Sequence, residues 1–151
     1  MQKYYKMASL KKTLIKKGYK EIPFKITKTN HLVLKVKLNG SKGRFILDTG
    51  ASNSCIGFGD EEYFRVETEA SETKASGAGA TNMETLKSTQ NQLKLDKWKT
   101  EKFDLVIFDL SHVNTALVQH DAKPIHGIIG ADILLKGKAI IDYKRKCLYL
   151  K

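Results

Sequence analysis

Long apolar runs are absent from this 151-residue chain, and its first residues lack the apolar core of a signal peptide. A membrane span needs about 20 consecutive apolar residues and a leader needs its own apolar stretch, so the expectation is a soluble, cytoplasmic protein. Cysteine is equally scarce. Cys55 and Cys147 are the only two, too few for a disulfide scaffold, which points to a reducing compartment. A chain of this length buries a core of its own without disulfides or metal.

Several chemistries are excluded because a motif stops short. Ala75-Ser76-Gly77-Ala78-Gly79-Ala80-Thr81 is the one small-residue cluster, but no Gly-Lys-Ser/Thr follows it and it has no third glycine with a helix behind it. It is therefore neither a phosphate loop nor a dinucleotide loop. The four histidines, His31, His112, His120 and His126, never fall at i, i+4, and no cysteine pair supplements them. No metal and no cofactor is expected. Gly50-Ala51-Ser52-Asn53-Ser54 lacks the glycine two residues after Ser52 that a serine nucleophile elbow requires. Cys55 has no histidine near it in sequence and reads as a buried, inert thiol.

Acid is under-represented, giving a formal charge of +11, but the excess is local. Residues 1–20 hold seven lysines and no acid; the other 131 residues hold 20 basic and 16 acidic side chains, a balance of +4. This arm reads as a helix from Met7 or Ser9 to Lys17, with Ser9 as N-cap, Gly18 as stop, and an apolar stripe of Leu10, Leu14 and Ile15. Two uses of it are open: a solvated helix docked on the domain, or contact with nucleic acid or an anionic membrane. No aromatic-rich RNA-binding signature accompanies it. The domain boundary is placed near residue 21.

From there the chain reads as short strands. Leu32, Leu34, Val36 and Leu38 alternate with Val33, Lys35 and Lys37, the period of a strand covered on one face. Asn39-Gly40 turns it into a second strand over 44–48. A strand leads away through 53–59, residues 60–74 read as a solvated acidic loop or short helix, and a hairpin spans Leu93 to Phe108. Ser111 is expected to cap a short helix through Val118. Gly127 to Gly130 reads as a buried strand, Ala131 to Lys136 as a short helix ended by Gly137, and residues 139–150 as a terminal hairpin.

The organising stretch is Phe45-Ile46-Leu47-Asp48-Thr49-Gly50-Ala51-Ser52, a buried strand that delivers one carboxylate to a hydroxyl-rich turn. On residues alone this is either an Asx-type turn or a carboxylate kept for chemistry, since a carboxylate in such a place is costly unless bonded or used. Together with Gly127-Ile128-Ile129-Gly130-Ala131-Asp132-Ile133-Leu134, it resembles the retropepsin-like aspartic proteases. In that family an apolar strand ends in Asp-Thr/Ser-Gly-Ala/Ser, a glycine-bearing flap hairpin follows, and an apolar-apolar-Gly strand later enters a short helix. Here these elements occur in that order at 45–52, 75–81 and 128–135. The resemblance covers roughly residues 30–151 and is nearest to small bacterial members.

The resemblance implies an all-β fold: a closed acid-protease β-barrel with short helices, preceded here by the basic N-terminal helix. Short strands and frequent turn signals agree with that class. It further implies an aspartic endopeptidase acting on a peptide or protein substrate, with Asp48 as catalytic carboxylate, Thr49 orienting it and Gly50 giving the backbone room. Ala51, Ser52, Ile129, Gly130 and Asp132 would support the site, and Gly77, Ala78 and Gly79 would form a flap over bound peptide. Such chemistry needs two facing carboxylates. The chain has one Asp-Thr-Gly and is too short for two lobes, so a homodimer is implied. The rival is a catalytically inactive retropepsin-fold module that binds peptides or serves as a scaffold.

Overall fold

A computed structural model of the protein describes residues 9–70, 75–77 and 80–151, with the backbone alone at Ala70, 75–77 and 80–83. The basic arm forms a helix at Leu10–Lys16 (α1), whose first turn is closed by the Lys12 N–H donating to Ser9 Oγ. Its apolar stripe is narrower than its sequence suggests. Leu14 alone is buried, against Cys147 and Tyr149, whereas Leu10 and Ile15 are exposed. Lys20–Ile26 (β1) follows and pairs antiparallel with Leu32–Leu38 (β2).

Asn39 and Gly40 join β2 to Ser41–Leu47 (β3) with φ of 50° and 86°. This is the two-residue left-handed turn whose twist matches that of paired strands. Leu38 faces Ser41 and Leu32 faces Leu47, so the open end of the hairpin carries Asp48. Cys55–Gly57 (β4) comes next. The acidic loop behind it is not merely solvated: Phe64 and Val66 are buried, and the Phe64 ring packs edge-on against Phe45 inside the barrel. Glu69–Ala70 (β5) leads toward a separate small hairpin, Ala75–Gly77 (β6) and Ala80–Met83 (β7), which forms its own two-stranded sheet.

Leu86–Leu95 (β8) begins well before the apolar residues that announce it, and pairs with Trp98–Phe108 (β9). The helix Ser111–Gln119 (α2) follows. Its N-cap position is Leu110 and not Ser111, and no side chain caps it; Asp109, one residue earlier, accepts from the Ser111 N–H at 2.8 Å. Those bonds from Ser111 hold the Asp109 carboxyl below the usual carboxylate range. Gly127–Ile129 (β10), the helix Ala131–Lys136 (α3), Ile140–Asp142 (β11) and Cys147–Leu150 (β12) complete the chain.

Strands β2, β3, β10, β4, β9 and β8 are neighbours in that order, and β8 returns to β2 where Leu93 and Lys94 face Leu38 and Lys37. The sheet closes on itself as a six-stranded mixed barrel, with β1, β12 and β11 extending it beyond β2. Closure leaves none of the six barrel strands as a free edge, and β11 and β5 are the outer strands of the sheet. Leu34, Leu38, Phe45, Ile56, Phe64 and Ile107 are fully buried, each contributing about 1.5–3 kcal/mol relative to exposure. A second cluster, Val33, Ile46, Cys55, Leu110, Leu117 and Ile128 among it, lies on the opposite face of these strands beneath α2.

Candidate active site

The Asp48 turn is built by continuing two ladders past their ends. The Asp48 N–H donates to the Ile129 carbonyl at 2.9 Å, so β3 and β10 remain joined beyond Leu47. The Ala51 N–H donates back to the Asp48 carbonyl at 3.2 Å, and the Gly50 N–H to Asp48 Oδ1 at 2.8 Å. Asp48, Thr49 and Gly50 are all exposed. The result is an Asx-type turn with its carboxylate oriented by one backbone donor. Among the described residues, no hydrogen bond reaches the second carboxylate oxygen.

Below this turn two loops are tied together. Gly130 sits so close to it that an added Cβ would lie 2.6 Å from the Ala51 carbonyl oxygen and 3.1 Å from Asn53. The Ala131 N–H donates to that same carbonyl at 2.7 Å. Ser54, fully buried, donates from Oγ to Asp132 Oδ1 at 2.7 Å and from its N–H to Oδ2 at 2.9 Å, while Oγ accepts from the Gly130 N–H at 2.9 Å. The Ile133 N–H adds a third bond to the Asp132 carboxylate at 2.9 Å. Charge-assisted bonds of this kind are about twice as strong as neutral ones, so the first turn of α3 and the exit from the Asp48 loop behave as one piece.

The expected site residues thus fall as follows. Asp48, Thr49, Gly50, Ala51, Gly130 and Asp132 come together at one end of the barrel, and Ile129 fills the barrel interior below them. Ser52 is exposed, and its side chain makes no hydrogen bond among the described residues. Gly77 ends β6, opposite Ala80 of β7; Ala78 and Gly79 lie outside the described residues. Ser54 was not anticipated. The one signal for it is its place directly before the apolar Cys55-Ile56, where a hydroxyl enters the core and must find a partner.

Cys55 is the neighbour of this brace and takes no part in it. Burial, reinforced by the Asp132 and Asp48 carboxylates, pushes its thiol up to about 12. A thiol held protonated at neutral pH is no nucleophile.

The sequence from residue 34 to residue 133 matches the model of the family described as aspartyl protease. The chain belongs to the aspartyl protease family. No curated protein matches it. Among solved structures, this aspartyl protease-family chain is similar to a retropepsin-like aspartic protease from Rickettsia conorii, at 16% identity and a TM-score of 0.58 over 87% of this chain and 90% of that one. It is similar also to the inhibitor-bound EIAV protease, at 18% identity and a TM-score of 0.55 over 74% of this chain and 91% of that one. The retroviral protease-like domain of Ddi1 from Leishmania major is a third, at 18% identity and a TM-score of 0.55, covering 80% and 88%. These likenesses carry the fold, a retropepsin-like barrel, as the order of motifs in the sequence implies.

Proposed function

We propose that the protein is an aspartic endopeptidase whose active site is completed by a second copy of the chain. The observation that carries this reading is the state of Asp48 in a chain of this family. Its carboxylate is exposed at the end of a barrel strand, fixed by one donor, and mounted on a loop braced from below by Ser54 and Asp132. Two such carboxylates facing across a two-fold axis would share one proton. The ionised one takes a proton from the attacking water, and the protonated one polarises the scissile carbonyl. Thr49 orients the pair, Gly50 leaves room for the opposing backbone, and the β6–β7 hairpin closes over an extended peptide by backbone pairing.

Cleavage of a fluorogenic peptide library, measured at acidic and neutral pH alongside sedimentation, tests the reading. Activity that follows the dimer fraction and vanishes in Asp48→Asn supports it. The second reading, an inactive peptide-binding or scaffold module, rests on the single carboxylate each chain supplies. A strict monomer that binds peptides and cleaves none would establish that reading instead.

A further inference from the structure

We infer that the groove between the 27–31 turn and α2 is a subsite for an acidic side chain of the substrate; this rests on the peptidase reading and adds to it a preference for glutamate or aspartate near the cleaved bond. The groove has a volume of about 730 Å³. One wall carries Lys28 and His31, the other His112 and His120, and Val113 and Leu117 line its apolar part.

Its position follows from register. His31 immediately precedes Leu32, the partner of Leu47, so the 27–31 turn borders the residue that leads into Asp48. Side chains alternate along a strand, which puts Ile46 on the same face as Asp48 and Ile128 on the same face as Gly130. Ile46 and Ile128 form one cluster with Leu110, Leu117 and Val113. Helix α2 therefore covers the apolar part of the face to which the Asp48 carboxylate belongs, and the groove runs along its flank.

The chemistry selects an anion with a short apolar stem. Among the described residues, no carboxylate lines the groove. Asp109 lies outside the lining and is engaged by the Ser111 N–H at the start of α2, and Asp121 follows His120 outside the lining. His31 Nδ1 is held by Thr29 Oγ1 at 2.7 Å, and Thr29 in turn by Thr27 Oγ1 at 2.6 Å. That leaves Nε2 as the ring nitrogen available to a ligand. A metal ion is a poor fit, because no three histidine, cysteine, aspartate or glutamate side chains converge for one among the described residues. An ammonium and three imidazoles spread over an apolar floor match the carboxylate and methylenes of a glutamate.

The test compares paired peptides that differ only by Glu against Gln at each position flanking the cleaved bond. Wild-type protein should favour Glu at one position by about tenfold in kcat/KM, the discrimination that one charge-assisted pairing supplies. In Lys28→Ala/His112→Ala/His120→Ala, whose altered side chains are exposed, the Glu-to-Gln ratio should fall to near one. Cleavage with no Glu preference, or a ratio unchanged in the triple variant, overturns the groove assignment while the peptidase reading stands. Binding of the same peptides to Asp48→Asn, by fluorescence anisotropy, separates the two. A Glu preference there that the triple variant loses upholds the groove even where no peptide is cleaved, and no preference in either assay overturns it.

Discussion

The two ends of the β2–β3 hairpin handle polar groups in opposite ways. At the turn end, Asn39 Nδ2 donates to the Phe64 carbonyl and to Asn91 Oδ1, both at 2.9 Å, and its Oδ1 accepts from the Gln92 N–H at 2.8 Å. Asn91, buried, donates onward to Ser88 Oγ at 3.1 Å and to the Phe103 carbonyl at 3.2 Å. Polar atoms there are matched to one another and the loop bearing Phe64 is pinned over the core. At the open end, buried Ser54 and half-buried Asp132 form an equally matched pair, yet the group they support, Asp48, stays exposed with one donor. A satisfied network stabilises a fold. A braced but under-bonded carboxylate is the arrangement a reaction needs.

The largest expected effect isolates that difference. Asp48→Asn should lower peptide cleavage by at least about 10²–10⁴-fold, the range for losing a positioned acid–base group. Stability in denaturant should stay within about 0.5 kcal/mol, as for other exposed substitutions. Retained cleavage would remove the distinction between the two ends.

Gly130→Ala comes next and acts through space. The new methyl would press into the Ala51 carbonyl, which is backbone and cannot step aside cheaply. Such overpacking costs about 1–3 kcal/mol, and because Ala51 closes the Asp48 turn, cleavage should fall with stability. A variant of wild-type stability and activity would show that the close approach of the two loops is not required.

A matched pair then sharpens the contrast. Ser54→Ala strips the Gly130 N–H of its acceptor and Asp132 of one donor; Asn91→Ala strips Asn39 and Ser88 of theirs. Each leaves buried polar groups unpaired, at about 1–3 kcal/mol. Urea titrations should report similar losses, while kcat/KM per folded molecule should drop for Ser54→Ala alone. Equal losses of activity would mean that neither end is specialised.

What could be read from the residues and what could not divides along the same line. Asp48-Thr49-Gly50, Asn39-Gly40 and Gly127 to Gly130 carry their meaning in local spacing, and the structure places the expected strands and turns at all three. Ser54 was illegible because its partner Asp132 lies 78 positions away. Phe64 was hidden by the acidic residues around it, although its ring fills the barrel. The first half of β8 was obscured because Ser88 and Asn91 are polar and yet point inward, with register shifts around Asn91 that break strict alternation. The groove is assembled from residues 28–31 and 112–120, and no periodicity joins such distant segments. Local rules find strands and turns, whereas pairings that depend on closure of the barrel must be seen.

The smallest expected effect probes whether the open end is as rigid as the turn end. Cys55 directly follows Ser54, is buried, and carries a thiol raised from 9.0 to about 12, chiefly by burial. A folded-state value above the unfolded one means that the native state holds the proton more tightly. The resulting stabilisation is fully present below pH 9 and declines as pH rises from 9 toward about 12. Guanidinium unfolding of wild type and Cys55→Ala at pH 8 and pH 10.5 should therefore show the smaller pH dependence in the variant. In the native protein at pH 8, iodoacetamide should leave Cys55 unmodified by mass spectrometry, because neither thiolate nor access is available. Rapid labelling at Cys55 without global unfolding would mean that β4 opens locally. The Ser54–Asp132 tie would then be a transient latch, and Asp48 would rest on a mobile loop, unlike the pinned Asn39 turn.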